Sequence, residues 1–203
     1  MKILKLDEYL SQFSKECTTI NVIGPFSKSE NELIEPIIYV DSATQFRINN
    51  KGFSVGDNDS FSGTLDEILP IDKDFSDLSY VLSKLCPQFN EINLFGFLGG
   101  RKDHEMINLL EAYQYLKMQN QKTKVSFDQK IIGFSKGSWA IDIHGIFSII
   151  AFEELEIEIT GQCKFEVDKS RCFKPLSSHG LSNIGSGEVH IQSSQPFFLF
   201  LNE

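Results

Sequence analysis

Three short acidic clusters, each following an apolar run, carry residue types suited to holding a metal ion and a polyphosphate. They are Gly56-Asp57-Asn58-Asp59-Ser60, Lys73-Asp74-Phe75-Ser76-Asp77-Leu78 and Gly99-Gly100-Arg101-Lys102-Asp103-His104. Asp57 and Asp59 are two apart, so an extended backbone sends both carboxylates the same way. Gly56 before them permits a sharp turn or close approach of a ligand to the backbone. Magnesium takes oxygen ligands and is commonly held by one or two carboxylates plus substrate phosphates. The same residue types also build polar turns, and the first cluster alone is compatible with that simpler reading.

The second cluster has a similar double meaning. Asp74 and Asp77 straddle the start of an amphipathic segment, where Asp or Ser at the N-cap and acidic residues in the first turn stabilise a helix by about 1 kcal/mol. The third cluster joins a strand to a helix. Such a turn presents backbone N–H groups at a helix N-terminus, suited to anions, and Arg101 adds a planar fork that matches phosphate oxygens. Asp103 caps the helix or orients a ligand. His144, His179 and His190 lack metal-ligand spacing, and no Walker loop or Ser/His/Asp arrangement is legible.

These clusters need a framework that brings their loops together. Thr18 to Ile23 and Pro36 to Val40 are apolar runs of the kind that buried parallel strands show. Leu78, Val81, Leu82 and Leu85 repeat at helical spacing, and residues 105–118 read as a second helix with Ile107, Leu110, Tyr113 and Leu116 available for burial. Strands alternating with helices imply an α/β domain with a mostly parallel, Rossmann-like sheet over residues 1–122. In such sheets ligands bind outside the carboxyl ends of the strands, where these clusters fall. Past the polar Asn120-Gln121-Lys122-Thr123, short alternating runs continue to Leu201, among them 140–143, 146–152 and Lys164 to Val167. They predict an all-β sandwich domain over residues 123–203.

Composition sets limits on function. The 203 residues carry a formal net charge of -9, which argues against a general nucleic-acid binder, because phosphate backbones call for a basic surface. It suits a protein that needs a cation to hold an anionic substrate. No stretch approaches the roughly 18 apolar residues of a membrane span, and the first residues turn acidic before a signal-peptide core forms. Cys17, Cys86, Cys163 and Cys172 show no Cys-x-x-Cys spacing. They read as reduced thiols of a cytoplasmic protein.

In order along the chain, these segments resemble the thiamin pyrophosphokinase family. Asp41-Ser42-Ala43-Thr44-Gln45 stands where the family has Asp-Gly-Gly-Ala-Asn, and Gly56 to Ser60 matches Gly-Asp-x-Asp-Ser. Lys73 to Ser79 matches Lys-Asp-x-Thr-Asp-Leu-Glu, and Gly99 to His104 matches Gly-Gly-Arg-x-Asp-His, with Asn108 one turn later. In the second half, Phe147-Ser148-Ile149-Ile150 is similar to a Phe-Ser-Leu-Ile segment, and Gly180-Leu181-Ser182-Asn183 to a stretch ending in Ser-Asn. Ser42-Ala43 in place of Gly-Gly implies strain if either must take positive φ.

The resemblance implies an α/β catalytic domain followed by a β-sandwich that binds thiamine and dimerises. The site would lie between the subunits of a homodimer. It implies transfer of the pyrophosphoryl group of ATP to thiamine, giving thiamine diphosphate and AMP. Asp57, Asp59 and Asp77 would hold magnesium and, with Asp103, form the catalytic set. Asp41, Gln45, Lys73, Asp74, Gly99, Gly100, Arg101, His104, Asn108, Ser182 and Asn183 would contact nucleotide or substrate. A pyrophosphokinase for another alcohol, such as a pterin, and a non-catalytic nucleotide or thiamine binder are the alternatives.

Overall fold

The computed structural model describes residues 5–27, 33–57, 63–168, 171–175 and 177–202. The expected strands at the start of the chain form where β-branched and aromatic residues cluster: β1 Thr19–Ile23, β2 Ile37–Val40 and β3 Phe53–Gly56, followed by the short β4 Glu67–Ile68 and by β5 Glu91–Phe95. β2 and β3 are buried at every position, as strands covered on both faces must be, whereas β5 alternates. Helices are few among the described residues: α1 Leu6–Leu10, α2 Asp77–Lys84, α3 Lys102–Lys117 and a 3-10 segment Asp41–Phe46.

The chain divides into two units, Met1–Ala112 and Tyr113–Glu203. In the first, the strands run in the order β5-β1-β2-β3-β4, every neighbouring pair parallel. The order steps outward from β1 through β4 and then returns to the other side of β1 for β5. This reversal puts a topological switch point at the carboxyl end of β1. Ile20, Val22, Ile38, Phe53, Val55, Ile92 and Leu94 fill the core, with Leu78, Val81 and Leu82 buried on α2.

The second unit holds β6 Lys124–Phe127, β7 Ile131–Phe134, β8 Gly137–Ile150, β9 Leu155–Cys163, β10 Cys172–Phe173, β11 Asn183–Ser193 and β12 Phe197–Asn202. They run β10-β9-β11-β8-β12-β7-β6, each pair antiparallel. β11 alternates buried and exposed without a break. Phe134, Ile143, Phe147, Ile149, Val189, Ile191, Phe197 and Leu199 belong to its core. Residues expected to form two runs, 140–143 and 146–152, lie largely in the single strand β8, while Lys164 to Val167 contributes only an isolated bridge from Val167 to Ile159.

The expected fold class, a Rossmann-like α/β domain followed by an all-β sandwich, is corrected. The strands form one mixed 12-stranded sheet, in the order β10-β9-β11-β8-β12-β7-β6-β5-β1-β2-β3-β4. The three α-helices among the described residues are too few for a doubly wound layer; the connection from Val40 to Phe53 carries only a 3-10 segment. The physical reason is that hydrophobic periodicity reports which faces are buried, not which strand edges pair.

One helix face also differs from expectation. Ile107 is 48% exposed, whereas Tyr113 and Leu116 are buried. The first turns of α3 line a cavity through His104, Glu105 and Asn108, so apolar burial begins only further along the helix.

Candidate active site

The loops that follow β1, β2, β3 and β5, with the start of α2, enclose a cavity of about 320 Å³ within the first unit. It lies where parallel-strand sheets bind ligands, at the carboxyl ends around a switch point. Asp41, Asp57, Lys73, Asp77, Gly100, Arg101, His104 and Asn108 line it. Gln45, Asp74, Gly99 and Asp103, though drawn from the same motifs, are not among its lining residues. Asp59 lies outside the described residues.

Asp41 directly follows β2 with φ 52, the left-handed region that Asp tolerates better than most residues, and Thr44 Oγ1 donates to its carbonyl at 2.8 Å. Neither Ser42 nor Ala43 takes positive φ, so the strain expected there falls on Asp41 instead. Ala43 is fully buried. Gly56 makes the Asp41 turn possible: a Cβ at this position would stand 2.9 Å from Asp41 Cα and 3.1 Å from its nitrogen.

The second cluster separates the capping role from the site role. Ser76 is the N-cap of α2, its Oγ accepting the Ser79 N–H at 2.9 Å. Its hydroxyl also donates to Glu111 Oε2 of α3 at 2.6 Å. Because Ser76 caps, Asp77 is not needed for that task, and its Oδ1 lies 3.2 Å from Lys73 Nζ. Lys73 Nζ also donates to Asp57 Oδ2 in a short contact. Burial pushes the Asp77 carboxyl up; Lys73 pulls it back, and the negative charges of Asp57 and Asp41 push it further up. Burial alone would lower the Lys73 ammonium, yet the Asp57 and Asp77 carboxylates hold it above its ordinary value.

The third cluster is arranged around glycine contacts. Gly96, at φ 70, follows β5 so close to the loop after β1 that a Cβ would stand 2.0 Å from Ser27 N. Gly100 packs on the Phe26 ring in the same way. The Gly99 N–H, expected to face an anion, donates to Glu105 Oε1 at 2.5 Å. Arg101 is 71% exposed and turns onto Asp103, which is 61% exposed. This pairing holds Asp103 below the usual carboxylate range and Arg101 above its own. Asn108 Nδ2 donates to the Phe97 carbonyl at 2.8 Å, fixing the loop to α3.

In the second unit, Ser182 takes φ 60 and its N–H donates to Ser148 Oγ at 3.1 Å. Asn183 is buried and clamps the Phe165 backbone: Oδ1 accepts the Phe165 N–H at 2.9 Å, and Nδ2 donates to the Phe165 carbonyl at 2.7 Å. Asn183 is therefore a backbone clamp, and Phe165, 54% exposed, is the side chain it presents.

The sequence reading missed Pro25, Phe26, Phe75, Phe97 and Glu105, all of which line the cavity. The available signal for two of them was Gly24-Pro25-Phe26 directly after β1, a strand-end loop at the switch point. Among the described residues no group of three His, Cys, Asp or Glu side chains is close enough to hold a metal ion. Asp57 and Asp77, brought together by one ammonium, nonetheless offer hard oxygen donors. Two carboxylates plus substrate phosphates are a donor set that suits magnesium.

No family model and no curated protein matches the chain. Solved structures do. Thiamine pyrophosphokinase from Bacillus subtilis superposes with TM-score 0.66 at 22% identity, over 91% of this chain and 99% of that one. Thiamin pyrophosphokinase from Candida albicans gives TM-score 0.71 at 13% identity, over 91% and 88% of the two chains. The Geobacillus thermodenitrificans protein of the same name gives 0.66 at 18%, over 91% and 98%. Identities this low speak for the fold alone: the chain is folded like the thiamin pyrophosphokinases.

Proposed function

We propose that this chain is an ATP-dependent thiamine diphosphokinase, moving the pyrophosphoryl group of ATP to the hydroxyl of thiamine and releasing AMP. The observation that carries the reading is the convergence of Asp41, Asp57, Lys73, Asp77 and Arg101 on one cavity at the carboxyl ends of parallel strands, in a chain folded like thiamin pyrophosphokinases. Such transfer asks for positioning and charge neutralisation more than for covalent chemistry. Asp57 and Asp77 would hold magnesium, with Asp59 completing the set, and the ion when bound neutralises charge on the phosphate oxygens.

The chain's own residues do the remaining work. Lys73 and Arg101 supply positive charge to the polyphosphate, and Arg101 must leave Asp103 to do so. Gly56 and Gly96 let the strand-end loops pack closely enough to enclose the substrate. Phe26, Phe75 and Phe97 form an apolar wall that limits water at the reacting phosphate. Ser182 and Asn183 shape a thiamine-binding surface in the second unit, and the working form is a homodimer.

The deciding assay is purified protein with magnesium chloride, ATP and thiamine, scored for AMP and thiamine diphosphate. Formation of both in equal amounts is expected. AMP formed only with a different alcohol would assign another acceptor, and nucleotide binding without turnover would assign a binding protein.

A further inference from the structure

The cavity lining carries four carboxylates, Asp41, Asp57, Asp77 and Glu105, against two cations, Lys73 and Arg101. The two cations are placed very differently. Arg101 is 71% exposed and engaged with Asp103, while the Lys73 side chain is only 7% exposed and meets both Asp57 and Asp77. The Asp57 and Asp77 side chains are themselves only 15% and 17% exposed. Two such carboxylates cannot both stay ionised in a low-dielectric cavity without a positive charge between them.

We propose that Lys73 is a positioning residue, a built-in counter-ion that spans Asp57 and Asp77 and that a divalent cation can replace. This deepens the magnesium-dependent reading above and rests on it for the identity of the cation. A lysine fits the role where an arginine would not: its ammonium is a compact point charge on a flexible four-carbon stem, with three donors that need no fixed plane. The stem lets the ammonium pass from the carboxylates to a phosphate oxygen without moving the backbone. Lys73 thus keeps the two carboxylates at a usable spacing and adds its charge to the polyphosphate once the cation has taken its place.

The test is thermal unfolding of wild type and Lys73→Met at matched ionic strength, with and without magnesium chloride and with no nucleotide. Without divalent cation, Lys73→Met is expected to unfold about 5–10 °C below wild type, as loss of one partner of a buried pair should cause. Magnesium should raise the variant's midpoint by at least twice the shift seen in wild type. Equal magnesium shifts in the two proteins, or no shift in the variant, would overturn the proposal. Should Lys73→Met not fold, Lys73→Met with Asp57→Asn removes the repulsion and should fold; a double variant that also fails to fold makes Lys73 a packing residue and sinks the idea. Because no step requires turnover, wild type that makes no thiamine diphosphate would count against the enzyme reading while leaving the counter-ion role standing.

Discussion

Lys73 Nζ stands 3.2 Å from Asp77 Oδ1 across the N-cap of α2. The relationship exists because Ser76, lying between them in sequence, takes over the cap and leaves Asp77 free to face the cavity. Two tasks that sequence alone assigns to the same short segment, starting a helix and presenting a carboxylate, are thereby divided between adjacent residues.

If Asp57 and Asp77 act on the transferred group, removing either charge must cost turnover more than folding. Asp57→Asn and Asp77→Asn are each expected to lower kcat by on the order of a hundredfold or more, the scale on which loss of one electrostatic partner acts. The far-ultraviolet circular dichroism spectrum should be unchanged. Near-normal kcat in both variants would remove the chief support for a phosphate-transfer site.

The close packing at Gly96 predicts a severe defect from a single methyl group. A Cβ there would stand 2.0 Å from Ser27 N, at a φ of 70 that side-chain-bearing residues avoid. Gly96→Ala should cost about 3 kcal/mol or more in urea unfolding, combining overpacking with backbone strain. Gly99→Ala is the control, since its φ of 102 is strained too but nothing lies within 4 Å of its added Cβ. The smaller loss at Gly99 isolates the steric part.

Glu111 gives a pH dependence whose sign is fixed by its surroundings. Burial pushes its carboxyl above the ordinary 4.5, against the hydrogen bond from Ser76, and the charge of Asp77 adds to the rise. The folded chain therefore holds this proton more tightly than the unfolded one. The resulting stability is fully present below 4.5 and is lost as pH rises through the raised value. Glu111→Gln lacks this loss, so its thermal midpoint should exceed that of wild type near neutrality, with the gap closing as pH falls toward 4.5. A gap independent of pH would show that the carboxyl's ionisation is not responsible.

Asn183 predicts a local effect in the second unit. Its amide makes two hydrogen bonds to the Phe165 backbone from a buried position. Asn183→Ala should cost about 2 kcal/mol, the loss of two bonds with partly buried backbone groups left behind. Amide exchange at Phe165 should accelerate, whereas exchange in β1 and β2 should not.

The sequence by itself determined the local elements and the chemical types at their ends. β-branched runs became β1 and β2, the 78, 81, 82 repeat became the buried face of α2, and Asp41 and Asp57 fell directly after β2 and β3. These features are legible because they depend on neighbours a few residues apart. Tertiary structure alone decided that the strands join one mixed sheet, since edge pairing depends on partners far along the chain. It also decided that Asp41 carries the positive φ, that Glu105 takes the Gly99 N–H, and that Phe26 and Phe97 wall the cavity. The choice of Lys73 as the cation between Asp57 and Asp77 is of the same kind. Those carboxylates are twenty residues apart, and only the packing of β3 and α2 into one sheet end makes their mutual repulsion real and a buried ammonium its answer.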